Sequence, residues 1–343
     1  MSPWKTYADP PWVDPELTRS QRRAQGRARR DDVGFADALA SGGTGYVVWM
    51  CADSLDAVDD HGHVALDACD VDDALPGPWE WDLLDLARQV SGDGGRAVQA
   101  LVEGYQQALA DVADEPLHSA RAQSLRRSRQ LAEGVSIRAS QSAATAARRL
   151  VSESVLLRHD RVARRWGSPV MQAPDIAQEM AQYRESLPEA TALLLTHYRV
   201  CDALASDDGR LLVLLARGAD AEDVIVLEGI PARPSLREDG VGAWRGGSDV
   251  QRVLLARETV PLVPVELTGW STSVDGATAR TWSRARAAMQ VPELGGARGR
   301  ARRLGSVLGL LHAAGSDAAG IRGYVGQSRA LSHAVVSHLR ATA

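Results

Sequence analysis

Lysine is nearly absent from this 343-residue chain: of 39 basic residues only Lys5 is a lysine, so tasks that need a cation elsewhere fall to arginine. Cysteine is scarce as well. Cys51, Cys69 and Cys201 are an odd, scattered set without a C-x-x-C spacing, which excludes a disulfide framework and a zinc knuckle. No run approaches the ~20 apolar residues that a membrane span needs. The N-terminal MSPWKTYADPPW has no apolar core of signal-peptide length. No membrane association and a cytoplasmic location are the expectation. Excess charge is also lacking: the formal value of −5 is mild, with QRRAQGRARR near the N-terminus set against dense acid from Asp53 to Asp85. That balance argues against nucleic acid as a partner.

What is present is apolar residue in quantity, 45% of the chain, enough for one large domain or two moderate ones. The abundance of Arg, Ala, Gly and Asp points to a GC-rich genome. Residues 1–32 read as an extended arm followed by a short basic helix, a charge run of the kind that usually forms a solvated face. YVVWMC and HVALDACDV read as a hairpin-like pair of strands around the turn residues DDHGH. LPGP is expected to stop the second strand, and a helix to start near Trp79 with Leu83, Leu84, Leu86, Ala87 and Val90 at helical spacing. Helical patterns run from Arg96 to Val112 and on to about Trp166, and strands return in RLLVLLA and DVIVLEG. IPARPSLREDGVGAWRGG is the clearest loop, and two helices close the chain.

The acidic run carries the chemical signal. Phosphoryl transfer of kinase type needs a carboxylate to orient the acceptor hydroxyl, an Asn five residues on for metal, and a further metal-binding Asp on the following strand. Asp53 ends the first expected strand, and Asp70 and Asp72 share one face of the second, with Asp67 on the other. The block LPGPWEWD (Leu75, Pro76, Gly77, Pro78, Trp79, Glu80, Trp81, Asp82) follows directly.

Together with CADSLDAVD, LDACDVDD and LLDLA, this block resembles the bacterial proteins grouped as domain of unknown function 2252, with weaker likeness in HYRVCDALA, QRVLLARETV and LGLLHAAGSDAAGIRGYVG. That family is itself similar to aminoglycoside-phosphotransferase and protein-kinase-like enzymes. The resemblance implies an α+β, kinase-like fold, with Asp53 as catalytic base, Asp70 as metal aspartate and Asp82 as structural aspartate. It implies ATP with Mg²⁺ or Mn²⁺ as cofactor. Nucleotide-cradling strands at Leu211 to Glu228 follow the catalytic segment instead of preceding it, so a circular permutation is expected. The implied parts are a basic arm (1–35), a helix-rich lobe (36–190), a smaller strand-containing lobe (191–275) and C-terminal helices packing back on the helix-rich lobe (276–343).

Departures from the family pattern point to decay. Val58 stands where the family has Asn, Leu55 where it has His, Ala52 where it has Gly, and Leu227-Glu228-Gly229 where it has K-E-A. SDDGR replaces a glycine-rich turn, which leaves Arg199, Arg217 or Arg233 to hold phosphate. The expectation is a degenerate kinase-like protein that binds a protein partner or nucleotide. The alternatives are a metal-dependent phosphotransferase or nucleotidyltransferase using Asp53 and Asp70, and an acidic metal-binding structural protein in which Asp67, Asp70 and Asp72 hold the ion. The plainer structural readings make Trp79 and Trp81 a packing clamp, Glu80 a helix cap and the acidic run a solvated strand end.

Overall fold

The computed structural model describes residues 16–60, 63–133, 170–172, 176–206, 208–217, 224–274, 276–285, 288–289, 296–326 and 329–342. Residues 134–166 of the stretch expected to be helical up to Trp166, together with Lys5 and His61, lie outside these residues. Among the described residues are twelve α-helices and eleven strands, an α+β architecture. No described helix is long and apolar enough to cross a membrane.

A helical body is formed by α1 (Arg19–Asp32), α2 (Phe35–Ser41), α3 (Trp79–Val90), α4 (Gly95–Val112), α5 (Leu117–Leu131) and three C-terminal helices. The basic segment is not a solvated arm. Helix α1 opens with a reciprocal cap in which Thr18 and Gln21 satisfy each other's backbone amides. It then lies so close to the Ala318–Val325 helix that a Cβ on Gly26 would collide with the Gly320 carbonyl, and one on Gly323 with that of Arg23. Three of its arginines serve this contact: Arg22 pairs with Asp317 at 3.2 Å, Arg23 and Arg322 converge on Asp114, and Arg30 donates to Tyr324 O. Part of the charge that reads as a free basic face thus fastens the first helix. Helix α4 touches the Gly296–Gly315 helix at Gly104 and Gly305, again backbone to backbone. Between these helices Trp79 stacks on Tyr105 at 5.8 Å and meets Tyr324 edge-on at 5.9 Å.

The strand pairing differs from the expected hairpin. Strand β1 (Val47–Met50) pairs with β4 (Leu75–Pro78), so the segment expected to end a strand is one. Because this ribbon has two strands, β4 bonds on one side only, and Pro76 and Pro78 fall on the side that needs no donor. Strand β3 (His63–Ala68) pairs with β2 (Leu55–Asp60), whose acidic ends hide an apolar centre at the fully buried Ala57 and Val58. The strands expected as neighbours belong to different sheets.

The second lobe is a six-stranded antiparallel sheet. It comprises β5 (Val170–Gln172), β6 (Arg199–Ser206), β7 (Leu211–Ala216), β8 (Val224–Pro231), β9 (Gly269–Thr272) and β10 (Ala279–Arg284), in the order β5-β6-β7-β8-β10-β9. Helices α6 (Ala177–Glu185) and α7 (Glu189–Leu195) belong to it: Met180, Tyr183 and Leu195 share a core with Val213, Leu227 and Trp282. Its strands and helices lie between Val170 and Arg284. The exposed amides of edge strand β9 are capped, since Trp270 N donates to Ser186 Oγ at 2.8 Å and Thr272 N to Gln182 Oε1 at 2.9 Å. Between β8 and β9 the chain returns to the helical body through α8 (Glu238–Val241) and α9 (Asp249–Thr259). Strand β11 (Ala288–Met289) flanks β2, and α10 (Gly296–Gly315), α11 (Ala318–Val325) and α12 (Ala330–Thr342) follow.

Candidate functional site

The LPGPWEWD block folds as strand, cap and first helical turn, and each of its polar atoms has a task inside the body. Trp79 donates from Nε1 to Thr44 Oγ1 at 3.0 Å, and the Thr44 hydroxyl in turn donates to Glu80 Oε1. Glu80 is fully buried, and burial pushes its carboxyl up to about 7 against the pull of the Thr44 contacts. Trp81 lies over Gly42 and Gly240, packing the loop after α2 against the α8 segment.

Asp82, one turn into α3 and fully buried, holds the segment that leads to Asp53. Its Oδ1 accepts from Ala52 N at 2.9 Å and both oxygens accept from Cys51 N at 3.0 Å. On its other side His312 Nε2 lies 3.0 Å from Oδ2, and His312 Nδ1 lies 2.9 Å from the Tyr105 hydroxyl. Helices α4 and α10 thus brace the carboxylate that positions the backbone before Asp53. Neither Tyr105 nor His312 stands out in sequence as its partner, because they lie 23 and 230 residues from Asp82.

Asp53 sits on the short 3-10 turn Ala52–Ser54 between β1 and β2. The β2–β3 ladder, extended by Cys69 N donating to Ser54 O at 2.9 Å, brings Asp53 and Asp70 to the same end of the hairpin. The Asp53 carboxylate is occupied by the chain itself. Arg237 Nη2 donates to Asp53 Oδ1 at 2.8 Å, while its Nη1 donates to Asp85 Oδ2 at 3.1 Å and lies 3.9 Å from Asp82 Oδ1. Burial disfavours the charge on Arg237, but Asp82 and Asp53 outweigh it and hold the guanidinium above its ordinary value.

The acidic turn is clamped in the same manner. Asp67 is fully buried, with Leu262 N, Val263 N and Ala68 N each donating to its carboxylate at 2.8 Å, so its oxygens face backbone amides. Asp72 Oδ1 takes Arg257 Nη2 at 2.8 Å and Nε at 3.1 Å. Arg252, fully buried, donates to the carbonyls of Asp72 at 2.7 Å and Ala74 at 2.8 Å. Asp70 accepts Asp72 N at 3.2 Å, and burial followed by the Asp72 charge holds its carboxyl above the usual range. The sheet lobe reaches this turn through Arg210 and Glu228, which lie 3.7 Å apart. Burial raises the Glu228 carboxyl and Arg210 pulls it back, while Arg210 feels Asp70 and Asp72 across the lobe boundary.

Several expected site residues lie elsewhere. Arg199 and Arg217 are at the end of the β6–β7 hairpin away from Arg210, since Arg199 pairs with Ala216. Strands of six residues put that end roughly 20 Å from the acidic turn. Val58 lies in β2 with Val263 and Ala65, facing a core and not a metal. The arginines that do reach this region come from the segment read as a loop, which puts Arg237 on Asp53, and from QRVLLARETV, which puts Arg257 on the Asp72 carboxylate and Arg252 on the Asp72 and Ala74 carbonyls. The chain has no asparagine at all, so no such ligand can come from another position. Among the described residues no three of His, Cys, Asp and Glu converge as metal ligands. With Asp53 and Asp72 already paired and Asp67 facing amides, these residues do not fit a catalytic metal as arranged.

The family model described as an uncharacterized protein conserved in bacteria, domain of unknown function 2252, matches residues 57–343. No curated protein and no solved structure matches the chain.

Proposed function

From a chain that belongs to the bacterial domain of unknown function 2252 family, we propose a kinase-like protein that has lost phosphoryl transfer and acts by binding a protein partner or nucleotide. The observation that carries this reading is the pairing of Asp53 with Arg237 at 2.8 Å. The carboxylate that would orient an acceptor hydroxyl is held by an internal guanidinium, and Asp72 is held likewise by Arg257. The order of parts supports the kinase-like ancestry: a turn bearing Asp53, a strand pair, Asp70 just beyond it, then a helix whose Asp82 fixes the backbone of the first turn. The losses support the rest. Without an asparagine and without a described lysine, two electrostatic contacts to a transferring phosphoryl group are missing, each worth ~10²–10³ in rate.

The experiment is a radiolabelled-ATP transfer and hydrolysis assay on wild type, Asp53→Ala and Asp70→Ala with Mg²⁺ and Mn²⁺. Turnover at background in all three is the expected result. The convergence of Asp53 and Asp70 at one hairpin end favours the second reading, a metal-dependent phosphotransferase, and a signal abolished by either substitution would establish it in place of the first.

A further inference from the structure

Tyr105, His312 and Asp82 form an unbranched chain of hydrogen bonds in the centre of the helical body, and all three are buried. Each end is fixed by a group that holds its proton. At one end the amides of Cys51 and Ala52 can only donate, which makes the Asp82 oxygens acceptors at 3.0 and 2.9 Å. At the other end the Tyr105 hydroxyl has His312 Nδ1, 2.9 Å away, as its hydrogen-bond partner among the described residues. The Tyr105 ring is held in place, stacked on Trp79 at 5.8 Å and edge-on to the His312 ring at 5.6 Å.

We infer that a single proton order runs through this chain: the Tyr105 hydroxyl donates to Nδ1 of a neutral His312, whose Nε2–H donates to the Asp82 carboxylate, which in turn takes the amides of the turn bearing Asp53. Tyr105 and His312 are thereby positioning residues for that turn, whether or not Asp53 takes part in chemistry. The other proton orders fail. A proton on Asp82 is disfavoured because two amides donate to the carboxylate and Arg237 Nη1 lies 3.9 Å from Oδ1, so the proton shared with His312 belongs to Nε2. The opposite neutral tautomer would set a bare Nε2 against the carboxylate oxygen 3.0 Å away, with no proton between them. A doubly protonated ring would aim Nδ1–H at the Tyr105 oxygen and leave the buried hydroxyl proton without an acceptor, which disfavours that state by about 10- to 100-fold. Loss of the hydroxyl proton would relieve that conflict, but burial, followed by Glu80 and Asp82, pushes the Tyr105 hydroxyl well above its ordinary value. A neutral His312 adds no charge, so the positive charge that faces Asp82 is that of Arg237.

The test is proton–nitrogen correlation NMR of the histidine side chains in the full chain at pH 7, with His312 assigned as the signal that His312→Gln removes. Wild type should show His312 with its proton on Nε2 and a bare Nδ1. Asp82→Asn keeps an oxygen for the Cys51 and Ala52 amides and turns an NH2 group toward Nε2, so the proton should move to Nδ1. A purely structural role for Asp82 predicts no such transfer between ring nitrogens. Tyr105→Phe keeps the stack on Trp79 and should leave the proton on Nε2, while the Nδ1 signal moves to that of a nitrogen receiving no hydrogen bond. The same variant should speed amide hydrogen exchange at Cys51 and Ala52 about tenfold, the effect of losing one hydrogen bond from the chain. A wild-type His312 protonated at Nδ1, or at both nitrogens, overturns the proton order, and so does an unmoved proton in Asp82→Asn. Unchanged exchange in Tyr105→Phe overturns the positioning role. Should Asp82→Asn not fold, wild type and Tyr105→Phe decide both points.

Discussion

Glu80 offers the most direct physical test of the core. Its carboxyl is fully buried, one oxygen meets the Thr44 hydroxyl and amide, and Oε2 has no hydrogen-bond partner among the described residues. Burial raises its pKa from 4.5 to about 7. A raised folded-state value means that the folded protein holds a proton the unfolded chain has released. The stabilising contribution is complete below about pH 4.5, falls as pH rises towards about 7, and stays lost above it. A displacement of that size corresponds to about 3 kcal/mol. Glu80→Gln has the shape of the protonated acid, keeps an acceptor for Thr44 and cannot ionise. At pH 8 the variant should therefore be more stable than wild type by about 3 kcal/mol, and at pH 4 the two should agree within about 1 kcal/mol. In a chain of this length that is a rise in thermal midpoint of roughly 5 °C at pH 8 and almost none at pH 4. Asp70, Glu228 and Asp317 are also shifted upward, so wild type alone has a compound pH profile, and the variant-minus-wild-type difference isolates Glu80. A difference independent of pH, or a variant less stable at pH 8, would refute a carboxyl whose ionisation is disfavoured by burial.

Two further substitutions probe the packing and the lost ligand. Gly26→Ala places a methyl group against the Gly320 carbonyl where α1 crosses α11, and forcing these backbones apart should cost about 1–3 kcal/mol in a denaturant titration; an unchanged midpoint would mean that α1 does not pack as described. Val58→Asn restores the residue type of the family pattern but buries an amide in the apolar cluster with Val263 and Ala65, so it should lower stability by about 2–4 kcal/mol and bring no ATP turnover; an active, equally stable variant would show that position 58 faces the site.

Local patterns carried the helices and the family membership. The spacing of Leu83, Leu84, Leu86, Ala87 and Val90 announces α3 because a helix repeats its buried face every 3–4 residues, and all five are buried there. The LPGPWEWD block announced a family of bacterial proteins because eight particular residues in a row carry information that composition does not. The boundary between a strand and its stop was less legible. Two prolines argue against a strand wherever both edges must bond, and only the finished sheet shows that β4 has one partner. In β2 the apolar pair Ala57 and Val58 is too short to stand out between aspartates, and its burial depends on β3, β11 and α5 arriving from elsewhere in the chain.

Charge was where sequence said least. Asp53, Asp67, Asp70, Asp72, Asp82 and Glu80 are carboxyls of one acidic run, yet in the fold Asp67 faces amides, Asp82 meets a histidine, burial pushes the Glu80 carboxyl up to about 7 and Asp53 faces Arg237. Those differences come from partners 36 to 230 residues away, and a carboxyl's behaviour depends on what lies within a few ångströms of it in space. The arginines show the same rule from the other side. By sequence Arg199, Arg217 and Arg233 are equally good phosphate ligands and Arg237 does not stand out, yet the strand register sends Arg199 and Arg217 to the far end of a hairpin and the path of residues 232–247 puts Arg237 onto Asp53. Sequence determined which charges this protein has; tertiary structure decided which of them meet, because electrostatic coupling falls with distance through space and takes no account of distance along the chain.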